Sequence, residues 1–568
     1  MRVKVGVFVC HCGSNIGGTV DVPDVVEYAK DLPLVHYSED NLYTCSDAGL
    51  TAIKEKIKEH GLNRVVVASC TPRTHEELFR RTCEEAGVNR YLFEFVNLRE
   101  HCSWIHMNQP QEATCKAKEL VRLGAAKAAR LRPLEIARAP VKPACLVIGG
   151  GVAGLSAAGS LAQQGFEVHL VERNDRLGGL TVDLWKLLPG DRPASELLHT
   201  LTARVTKNDN VTVYLSSELN EITGFIGSFK ATLSTPSGKK DIEIGTVIVA
   251  TGAVELEPLG LYNLGKTEGV ITQMGLEKML SDGRKDLGDV VFINCAGARG
   301  PDREYCGRLC CAVSIKNARY LKEADPDARV TVLQRDVMAF GTEFETEYRK
   351  AMVAGVRFIR FSPDRPPTTI GKNKVTGVRI YNQLTGEESD LSASTVVLTT
   401  PLAADSGASD LAQMLKVPVD KEGFFLEAHL KLRPVEFATD GVFIAGAARF
   451  PADIGEAVAQ GTAAAAKAAA PMFAGEVSVE ATTALTNPRL CSGCATCEAV
   501  CPCGAIEITP DRHGRPVSEV NAVMCKGCGA CAAACPCGAI QQLGFTDSQI
   551  FEMVRSLARD GDPSGSEG

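Results

Sequence analysis

The sequence has no apolar run long enough to cross a bilayer, which takes about 18–20 residues. The nearest candidate, the alanine-rich stretch after Gln460, is interrupted by Lys467 and Pro471. The apolar start, Val3 to Cys10, is short and runs into His11-Cys12 rather than into a small-residue cleavage site, so we interpret it as a buried first strand. These absences predict a soluble, cytoplasmic protein without direct membrane insertion.

An excess of positive charge is also missing. The 568 residues include 61 Lys and Arg against 69 Asp and Glu, which gives a formal net charge of −8. Nucleic acids and anionic surfaces are recognised through basic stripes, so binding to either is not expected. The 45% hydrophobic content is typical of globular folding. Because single cores stop growing near about 250–300 residues, a chain of this length predicts several domains.

The chain shows no pattern typical of a secreted protein, and its 22 cysteines are therefore not expected to form disulfides. Metal ligation is the better explanation. A cysteine is also a common small buried residue. We expect that structural role for six of the 22, namely Cys10, Cys83, Cys115, Cys145, Cys503 and Cys537.

The alternation of strand-like and helix-like patterns predicts an α/β multidomain protein. The first part contains helical patterns at Ala48–His60 and Thr74–Ala86 and ends in a long helix near Glu112–Ala139, which Pro140 and Pro143 stop. The predicted segments are an N-terminal α/β domain (1–142), a Rossmann-like domain (143–265 and 435–475), a second Rossmann-like domain (266–434), a cysteine-dense repeat domain (476–545) and a tail (546–568), in which Asp560–Gly568 is expected to be disordered.

A glycine motif stands where a nucleotide-binding turn belongs. An apolar strand runs into Gly149-x-Gly151-x-x-Gly154 and a helix, and the next strand ends before Glu172. Gly149 allows a tight turn, Gly151 lets backbone amides approach a pyrophosphate, and Gly154 allows close helix packing. Glu172 is placed to accept from ribose hydroxyls and would repel a 2′-phosphate, which disfavours NADP even though Arg173 is adjacent.

Three further segments, Arg176–Gly179, Val247–Gly252 and Asp440–Gly446, resemble FAD-binding elements of the thioredoxin-reductase-like disulfide reductase superfamily. The resemblance implies FAD and a two-Rossmann core, with Ala447 in place of the superfamily's usual aspartate. The helix that starts near Asp453 is expected to face the flavin with its N-terminus. The predicted cofactor-binding residues are Gly149, Gly151, Val152, Ala153, Gly154, Glu172, Arg173, Gly178, Gly179, Ala250, Thr251, Gly252, Gly446, Gln460, Gly461 and Thr462.

The second Rossmann-like unit lacks the glycine spacing of a nicotinamide site. After the predicted strand Val290–Asn294, four cysteines stand where a pyrophosphate would sit. Their spacing does not match the superfamily's redox pairs, and a vicinal pair strains a disulfide ring, so the set favours an Fe-S cluster. An active-site dithiol and buried apolar cysteines are the alternatives. The predicted ligands are Cys295, Cys306, Cys310 and Cys311.

Residues 491–506 and 525–540 form an internal repeat, and each copy ends in Cys-Pro-Cys-Gly-Ala-Ile. Each copy carries Cys-x2-Cys-x2-Cys-x3-Cys-Pro, the two-cluster ferredoxin pattern, in which the fourth cysteine of each run binds the other cluster. A zinc site would need isolated sets of four ligands. The predicted ligands are Cys491, Cys494, Cys497 and Cys535 for one [4Fe-4S] cluster, and Cys525, Cys528, Cys531 and Cys501 for the other.

Cysteines spread through residues 1–142 follow no spacing rule, and the residues alone leave a metal site there open. The segments Ala68–Pro72 and Glu100–Trp104 most clearly resemble the A-subunit family of heterodisulfide reductase, and the likeness extends through the central cysteines to the ferredoxin repeats. In that family the N-terminal domain holds a [4Fe-4S] cluster. The resemblance implies that Cys12, Cys45, Cys70 and Cys102 are its ligands, with Cys10 as a substitute for Cys12.

The chain departs from the family at one point. Archaeal members often insert another two-cluster ferredoxin domain within the flavin domain, whereas residues 224–233 run on without cysteine. We therefore expect a short form of the family with one FAD and four [4Fe-4S] clusters.

Flavin takes electrons in pairs and each cluster takes one, so an FAD flanked by clusters can split a pair along two routes. The resemblance implies an oxidoreductase subunit for flavin-based electron bifurcation or confurcation, with the chemistry carried by the cofactors rather than by a catalytic side chain. The partners it implies are heterodisulfide reductase B- and C-like subunits, a donor subunit linked to a hydrogenase, formate dehydrogenase or other dehydrogenase, ferredoxin, and a second copy of the chain within a larger complex.

Two alternatives stay open. One is an NAD(P)H-dependent flavoprotein reductase that feeds ferredoxin, against which the loop after Asn294 argues. The other is a non-catalytic electron conduit or scaffold.

Overall fold

The chain divides into two units in the computed structural model, which describes residues 2–558 except for the side chain of Ala137. One unit contains the chain up to Arg138 together with the chain from Ser478 onwards, and the other is Ala139–Val477. The chain passes from one unit to the other within two strands, Ala137–Pro140 and Glu476–Val479. The predicted disordered segment Asp560–Gly568 lies outside the described residues.

The N-terminal part of the first unit is a four-stranded parallel sheet covered by helices. Strand Val5–Cys10 is buried along its whole length, as expected of a parallel strand with both faces covered. In sheet order the strands are Val35–Asn41, Val5–Cys10, Arg64–Ser69 and Phe93–Asn97. The α-helices are Ser14–Gly17, Val22–Lys30, Asp47–His60, Pro72–Glu85 and Pro110–Ala129, and one π-helical turn spans Arg99–Ser103. Because the strands are parallel, their carboxyl ends share one edge.

The last of these helices is shorter than predicted. It ends at Ala129 instead of continuing to Ala139, and Ala137–Pro140 forms a strand. The reason is Pro133, because the residue before a proline is driven out of the helical region.

The second unit contains two Rossmann-like sheets. In the first, the parallel strands are Val442–Ile444, Thr246–Val249, Ala144–Ile148, Glu167–Val171 and Val211–Tyr214, in sheet order. The strands Glu218–Phe225, Ser228–Thr235 and Gly238–Ile244, which follow Val211–Tyr214 in the sequence, form a separate antiparallel sheet. The helices of this part are Val152–Gln163, Ala194–Thr206, Ala408–Leu415 and Ile454–Ala474, with short 3-10 turns at Gly179–Asp183 and Gly446–Ala448.

The second Rossmann-like sheet repeats this plan. Its parallel strands, in sheet order, are Val270–Thr272, Thr395–Thr399, Val290–Asn294, Val330–Gln334 and Arg357–Arg360. Its antiparallel sheet contains Thr368–Ile370, Gly377–Asn382 and Glu387–Ser392, and its helices are Gln273–Ser281, Cys310–Ala324 and Thr342–Val353. The antiparallel pair Ala253–Glu255 and Leu402–Ala404 joins the two Rossmann-like parts, and a 3-10 turn lies at Leu261–Asn263.

The C-terminal part of the first unit has little regular structure. Its strand pairs are Ala484–Thr486 with Ile540–Gln542 and Ile506–Pro510 with Pro516–Val520, and its short helices are Thr496–Ala499 and Ala530–Ala534. The predicted tail begins with an ordered helix, Asp547–Ala558, which packs against Pro110–Ala129. The sequence prediction lacks this helix, although Ile550, Phe551 and Val554 follow a helical spacing.

Helices that are both long and apolar enough to cross a membrane are not found in residues 2–558. The boundaries of the five predicted segments stay a prediction, since the structure separates the chain into two units only.

Candidate flavin and cluster sites

A cavity of about 1010 Å³ lies within the second unit, at the carboxyl ends of the first Rossmann-like sheet. Eleven of the predicted cofactor-binding residues line it: Gly149, Gly151, Val152, Ala153, Glu172, Arg173, Gly178, Gly179, Ala250, Thr251 and Gly252. A β carbon added at Gly151 would stand 4.0 Å from its nearest neighbour, so the backbone there faces open space. A β carbon at Gly154 would stand 1.8 Å from the carbonyl oxygen of Gly149, which explains the third glycine as a packing requirement.

Four other predicted cofactor residues do not line this cavity. The side chain of Gln460 accepts from the backbone N–H of Gly446 at 3.0 Å, and Gly461 packs against the carbonyl of Ala153, which a β carbon would approach to 2.3 Å. Thr462 donates to the carbonyl of Val458 at 3.0 Å. Gly446, Gln460 and Gly461 therefore hold the helix Ile454–Ala474 in place, whereas the bond of Thr462 lies within that helix. Asp453, Ile454 and Ala457 line the cavity instead.

Glu172 and Arg173 are both held by protein groups. One carboxylate oxygen of Glu172 accepts from the backbone of Gly150 at 2.7 Å, and the other accepts from the backbone and side chain of Asn174 at 2.8 Å. A carboxylate has about four lone-pair sites, so Glu172 retains capacity for a ribose hydroxyl. The guanidinium of Arg173 pairs with Asp405 at 2.5 Å, and this partner raises the pKa of Arg173.

The cavity wall also carries polar atoms that fit a bound group. Among the described residues, the hydroxyl of Thr251 and both side-chain polar atoms of Gln273 are buried without a hydrogen-bond partner. Buried polar groups are almost always satisfied, so these atoms indicate a ligand with polar edges. The dinucleotide-type glycine turn and these orphan atoms fit FAD. The sequence analysis missed Gln273, because nothing in its local pattern marks it.

Lys316 is a further cavity residue that the sequence analysis missed. It is 2% exposed, pairs with the fully buried Glu277 at 2.6 Å and donates to the carbonyl of Lys186 at 2.7 Å. Burial lowers the pKa of Lys316, and Glu277 opposes this effect. Cys310, Val313 and Lys316 all line the cavity, and their spacing of three residues places them on one helix face. This spacing is the signal in the sequence that could have identified Lys316.

The N-terminus of the helix Ile454–Ala474 is closed by its own acidic residues. Asp453 accepts from the backbone of Glu456 at 2.7 Å, and Glu456 accepts from the backbone of Asp453 at 3.1 Å, which is a capping box. Glu456 also binds Arg308 through both carboxylate oxygens, at 2.7 and 3.0 Å. Arg308 donates from its backbone to the sulfur of Cys306 at 3.4 Å. This arginine therefore ties the central cysteine loop to the cavity helix.

The four central cysteines converge at the end of strand Val290–Asn294 and the start of helix Cys310–Ala324. Burial raises the pKa of Cys310, and the thiols of Cys311, Cys295 and Cys306 raise it further, so all four sulfurs are neighbours. Cys295 has a φ of 62°, a strained value for a residue other than glycine. Its pKa is raised by burial and lowered by Arg299 and Arg335, which place positive charge beside the set.

The structure brings a different set of cysteines together in the N-terminal domain. Cys10 ends one strand, and Cys12, Cys45 and Cys70 lie in the loops that follow three neighbouring parallel strands at their common edge. Burial raises the pKa of Cys12 and of Cys45, and the nearby thiols of Cys10 and Cys70 raise both further. The sulfur of Cys10 accepts from the backbone N–H groups of Cys12 and Thr44, each at 3.3 Å.

Cys102 makes a different contact. It is fully buried within the apolar core of the N-terminal domain, and its thiol donates to the carbonyl of Ala113 at 3.0 Å. Burial raises the pKa of Cys102 to about 11. The strand before it, Phe93–Asn97, also ends at the common edge, but the π-helical turn Arg99–Ser103 directs the side chain into the core. Among the described residues, it is the thiol of Cys10 that lies beside those of Cys12 and Cys45.

Two small cavities in the C-terminal part collect the ferredoxin-type cysteines. One is lined by Cys491, Cys494, Cys497, Cys535 and Cys537, and the other by Cys501, Cys503, Cys525, Cys528 and Cys531. Backbone N–H groups point at several of these sulfurs, at 3.4 Å to Cys491, 3.3 Å to Cys501 and 3.4 Å to Cys525. Such bonds favour thiolates and suit Fe-S ligation.

No three His, Cys, Asp or Glu side chains of residues 2–558 are arranged to hold one single metal ion. In a cube the four cysteines bind different irons, so a [4Fe-4S] cluster does not require three ligands around one ion.

Two family models match the chain. Residues 143–292 match the pyridine nucleotide-disulphide oxidoreductase model, which implies FAD binding, and residues 490–539 match the 4Fe-4S dicluster domain model, which implies 4Fe-4S chemistry. Together with the two sheets described above, they confirm the predicted α/β multidomain fold with a flavoprotein core and a C-terminal ferredoxin domain. Among solved structures, thioredoxin reductase from T. acidophilum is 21% identical with a TM-score of 0.41, covering 58% of this chain and 99% of its own.

Several curated proteins are similar over most of the chain. The A-subunit of the H2:CoB-CoM heterodisulfide,ferredoxin reductase of Methanothermobacter marburgensis is 39% identical over 89% of this chain and 90% of its own. The first iron-sulfur A-subunit of the CoB–CoM heterodisulfide reductase of Methanopyrus kandleri is 38% identical, and the A-subunit of the H2/formate:CoB-CoM heterodisulfide,ferredoxin reductase of Methanococcus maripaludis is 34% identical, each over 98% of both chains. The protein is thus a flavin and iron-sulfur electron-transfer subunit of oxidoreductase type, and it belongs to the A-subunit family of heterodisulfide reductase.

Proposed function

We propose that the chain binds one FAD and four [4Fe-4S] clusters and distributes electron pairs by flavin-based bifurcation or confurcation. The observation that carries this proposal is the shared wall of the flavin cavity. The same cavity is lined by Gly149 and Gly151 of the glycine turn and by Cys310 of the central cysteine set. A flavin and a cluster in adjoining sites are the arrangement that one-electron exchange needs.

When bound, FAD supplies both two-electron and one-electron chemistry. The chain's own residues position it and set the charge around it. Lys316 lines the cavity and forms a buried ion pair with Glu277 at 2.6 Å, which fixes the position of its side chain in the cavity wall. Arg308 and Glu456 fix the central cysteine loop against the cavity helix. Both pairs act by positioning, because neither forms a bond with a reacting atom.

For the four clusters we propose the following ligands. The central cluster takes Cys295, Cys306, Cys310 and Cys311, and the ferredoxin clusters take Cys491, Cys494, Cys497 with Cys535, and Cys525, Cys528, Cys531 with Cys501. For the N-terminal cluster we propose Cys10, Cys12, Cys45 and Cys70. This last set replaces Cys102 by Cys10, because the sulfur of Cys10 accepts two backbone N–H groups and lies beside the thiols of Cys12 and Cys45.

The first unit holds three of these clusters and is proposed as the relay toward partners. Helix Asp547–Ala558 packs on helix Pro110–Ala129, and Arg130 pairs with Glu552 at 2.6 Å. The hydroxyl of Tyr91 accepts from the backbone of Ala481 at 3.2 Å. These contacts keep the N-terminal and ferredoxin parts in a fixed arrangement, which supports transfer between their clusters.

Partners are proposed from the names of the relatives, which mention hydrogen, formate, ferredoxin and the CoB-CoM heterodisulfide. We propose a donor subunit linked to a hydrogenase, formate dehydrogenase or other dehydrogenase, ferredoxin as one acceptor, and a disulfide-reducing B- and C-like subunit pair as the other. A second copy of the chain is proposed to complete the assembly.

NAD(P)H is not proposed as a direct donor. Helix Cys310–Ala324 begins with two cysteines where a nicotinamide dinucleotide would need backbone amides and glycine. A β carbon at Gly307 would stand 2.5 Å from the sulfur of Cys310, so this glycine makes room for the cysteine set.

The test is anaerobic purification of the full chain, followed by iron, sulfide and flavin analysis. We expect one FAD and about sixteen irons per chain, at about four per cluster. About eight irons would remove the N-terminal and central clusters from the proposal. Rapid bleaching of the flavin by NADH or NADPH in the isolated chain would instead favour the alternative function, an NAD(P)H-dependent flavoprotein reductase. Bifurcation is then measured in the complex of the chain with its partners. Dye reduction by the isolated chain is compared with dye reduction by the assembled complex. Turnover by the assembled complex only would favour the conduit or scaffold over the enzyme.

A further inference from the structure

Each ferredoxin repeat contains one cysteine more than the cluster pattern uses. These residues, Cys503 and Cys537, were expected to be small core residues. The structure contradicts that expectation: Cys537 is exposed and Cys503 is only partly buried. Neither belongs to the small apolar core of this part.

Both additional cysteines lie at the cluster cavities. Cys537 lines the cavity that also contains Cys491, Cys494, Cys497 and Cys535, and Cys503 lines the cavity of the other set. The sulfurs of Cys535 and Cys537 are 3.8 Å apart. Each cavity therefore presents five thiols to a cluster that binds four.

A turn places these thiols on the same side. The backbone of Gly538 donates to the carbonyl of Cys535 at 3.3 Å, and that of Gly504 donates to the carbonyl of Cys501 at 3.2 Å. Both glycines have a positive φ, of 62° and 59°, which lets the chain turn back sharply. The cysteines are the first and third residues of each turn. The two repeats therefore contain equivalent pairs, Cys501 with Cys503 and Cys535 with Cys537.

We propose that Cys537 and Cys503 are alternative cluster ligands, able to replace Cys535 and Cys501 respectively. This inference rests on the proposed clusters of the ferredoxin domain. In the exchange, the iron–sulfur bond to Cys535 breaks and that sulfur takes up a proton. Cys537 loses its proton and forms the new iron–sulfur bond. No electron is gained or lost, and the cluster keeps four thiolate ligands.

The exchange has a consequence for electron transfer. Reduction potentials of clusters depend on hydrogen bonds to the sulfurs and on solvent exposure. Cys537 is exposed, whereas Cys535 is partly buried. A cluster bound through Cys537 therefore has a different potential and a different paramagnetic spectrum in its reduced state.

The test uses the full chain and compares single with double variants. Cys535→Ala and Cys501→Ala each remove one ligand beside an alternative, whereas Cys535→Ala/Cys537→Ala and Cys501→Ala/Cys503→Ala remove both thiols. The matched control is Cys491→Ala, because the sulfur of Cys491 is hydrogen-bonded to Ser518 and has no alternative cysteine two residues away. Iron and sulfide content, electron paramagnetic resonance of the reduced protein and cluster potentials are measured.

We expect the single variants to keep the wild-type iron content, with a shifted spectrum and potential, and the double variants and Cys491→Ala to lose about four irons. If Cys535→Ala and Cys501→Ala lose as much iron as their double variants, the inference is wrong. A wild-type chain without ferredoxin-type clusters would instead contradict the proposed function, so the two failures are distinguishable. The second repeat provides an independent check where a variant of the first does not fold.

Discussion

The two parts of the first unit are stabilised in opposite ways. The N-terminal domain has a large apolar core around Phe8 and Phe79, which are 0% and 1% exposed. In the described residues of the ferredoxin part, the apolar core cluster contains five buried residues, Ala484, Cys497, Ile506, Cys531 and Ile540. Two of the five are proposed cluster ligands, so in this part the cofactor substitutes for a core.

We therefore expect the N-terminal domain to fold independently of metal binding, whereas folding and metal binding are coupled in the ferredoxin part. Small domains without a sufficient core rely on metals or disulfides, and ligand binding is then part of the folding free energy. A parallel sheet with helices on both faces needs no such support. The proposed N-terminal cluster would therefore be an addition to a folded domain, whereas the ferredoxin clusters are the centre of theirs.

The largest effect is expected from removing iron. In the full chain treated with chelator and oxidant, amides of strands Ile506–Pro510 and Pro516–Val520 should lose hydrogen-exchange protection, because their core is gone. Strands Val5–Cys10 and Arg64–Ser69 should keep theirs. Reconstitution with iron and sulfide is the control and should restore the lost protection. Equal loss in both parts would show that the comparison is wrong.

The next effect is the loss of one cluster. Cys10→Ser is expected to remove about four irons per chain, because this sulfur belongs to the converging set, while hydrogen exchange of the N-terminal strands changes little. Cys102→Ser is the matched control and should keep the iron, since its thiol contacts Ala113. Iron analysis on the purified chain checks both variants. The reverse result would return Cys102 to the ligand set.

A core substitution should act on the N-terminal domain without affecting iron in the ferredoxin part. Phe79→Ala is expected to lower the free energy of unfolding of this domain by about 3–5 kcal/mol, because it opens a cavity in a packed core. Phe551→Ala, at a position 60% exposed, is the control and should stay within about 0.5 kcal/mol. Hydrogen exchange at Arg64–Ser69 measures the local opening energy.

The smallest effect concerns an ion pair that links the two parts. Arg80 and Glu480 lie 3.2 Å apart and are partly solvated, so a double-mutant cycle to alanine should give a coupling of about 0.2–1 kcal/mol. Burial alone would raise the pKa of Glu480, but Arg80 and Thr482 outweigh it and hold this pKa below its ordinary value. The coupling should therefore be present at neutral pH and decline as the pH falls below about 4.3. A coupling that is unchanged at acidic pH would contradict this assignment.

Much of the fold follows from local patterns. The helices Asp47–His60 and Pro72–Glu85 lie close to their predicted ranges, and the apolar runs at Val5–Cys10 and Val290–Asn294 are buried strands. The ends of elements were less predictable. Pro133 ends a helix early, and the helix after Thr546 was missed because its apolar residues are partly exposed.

The candidate sites divide in the same way. The sequence by itself determined the glycine turn after Ile148 and the ferredoxin cysteines, because both are short motifs whose local geometry depends on spacing. Only the tertiary structure places Cys10 beside Cys12, Cys45 and Cys70, because that proximity depends on where separate strands end. Gln273 and Lys316 were also identified only in the tertiary structure, because they reach the flavin cavity from the second Rossmann-like part. Spacing specifies local loops, whereas packing specifies which distant side chains meet.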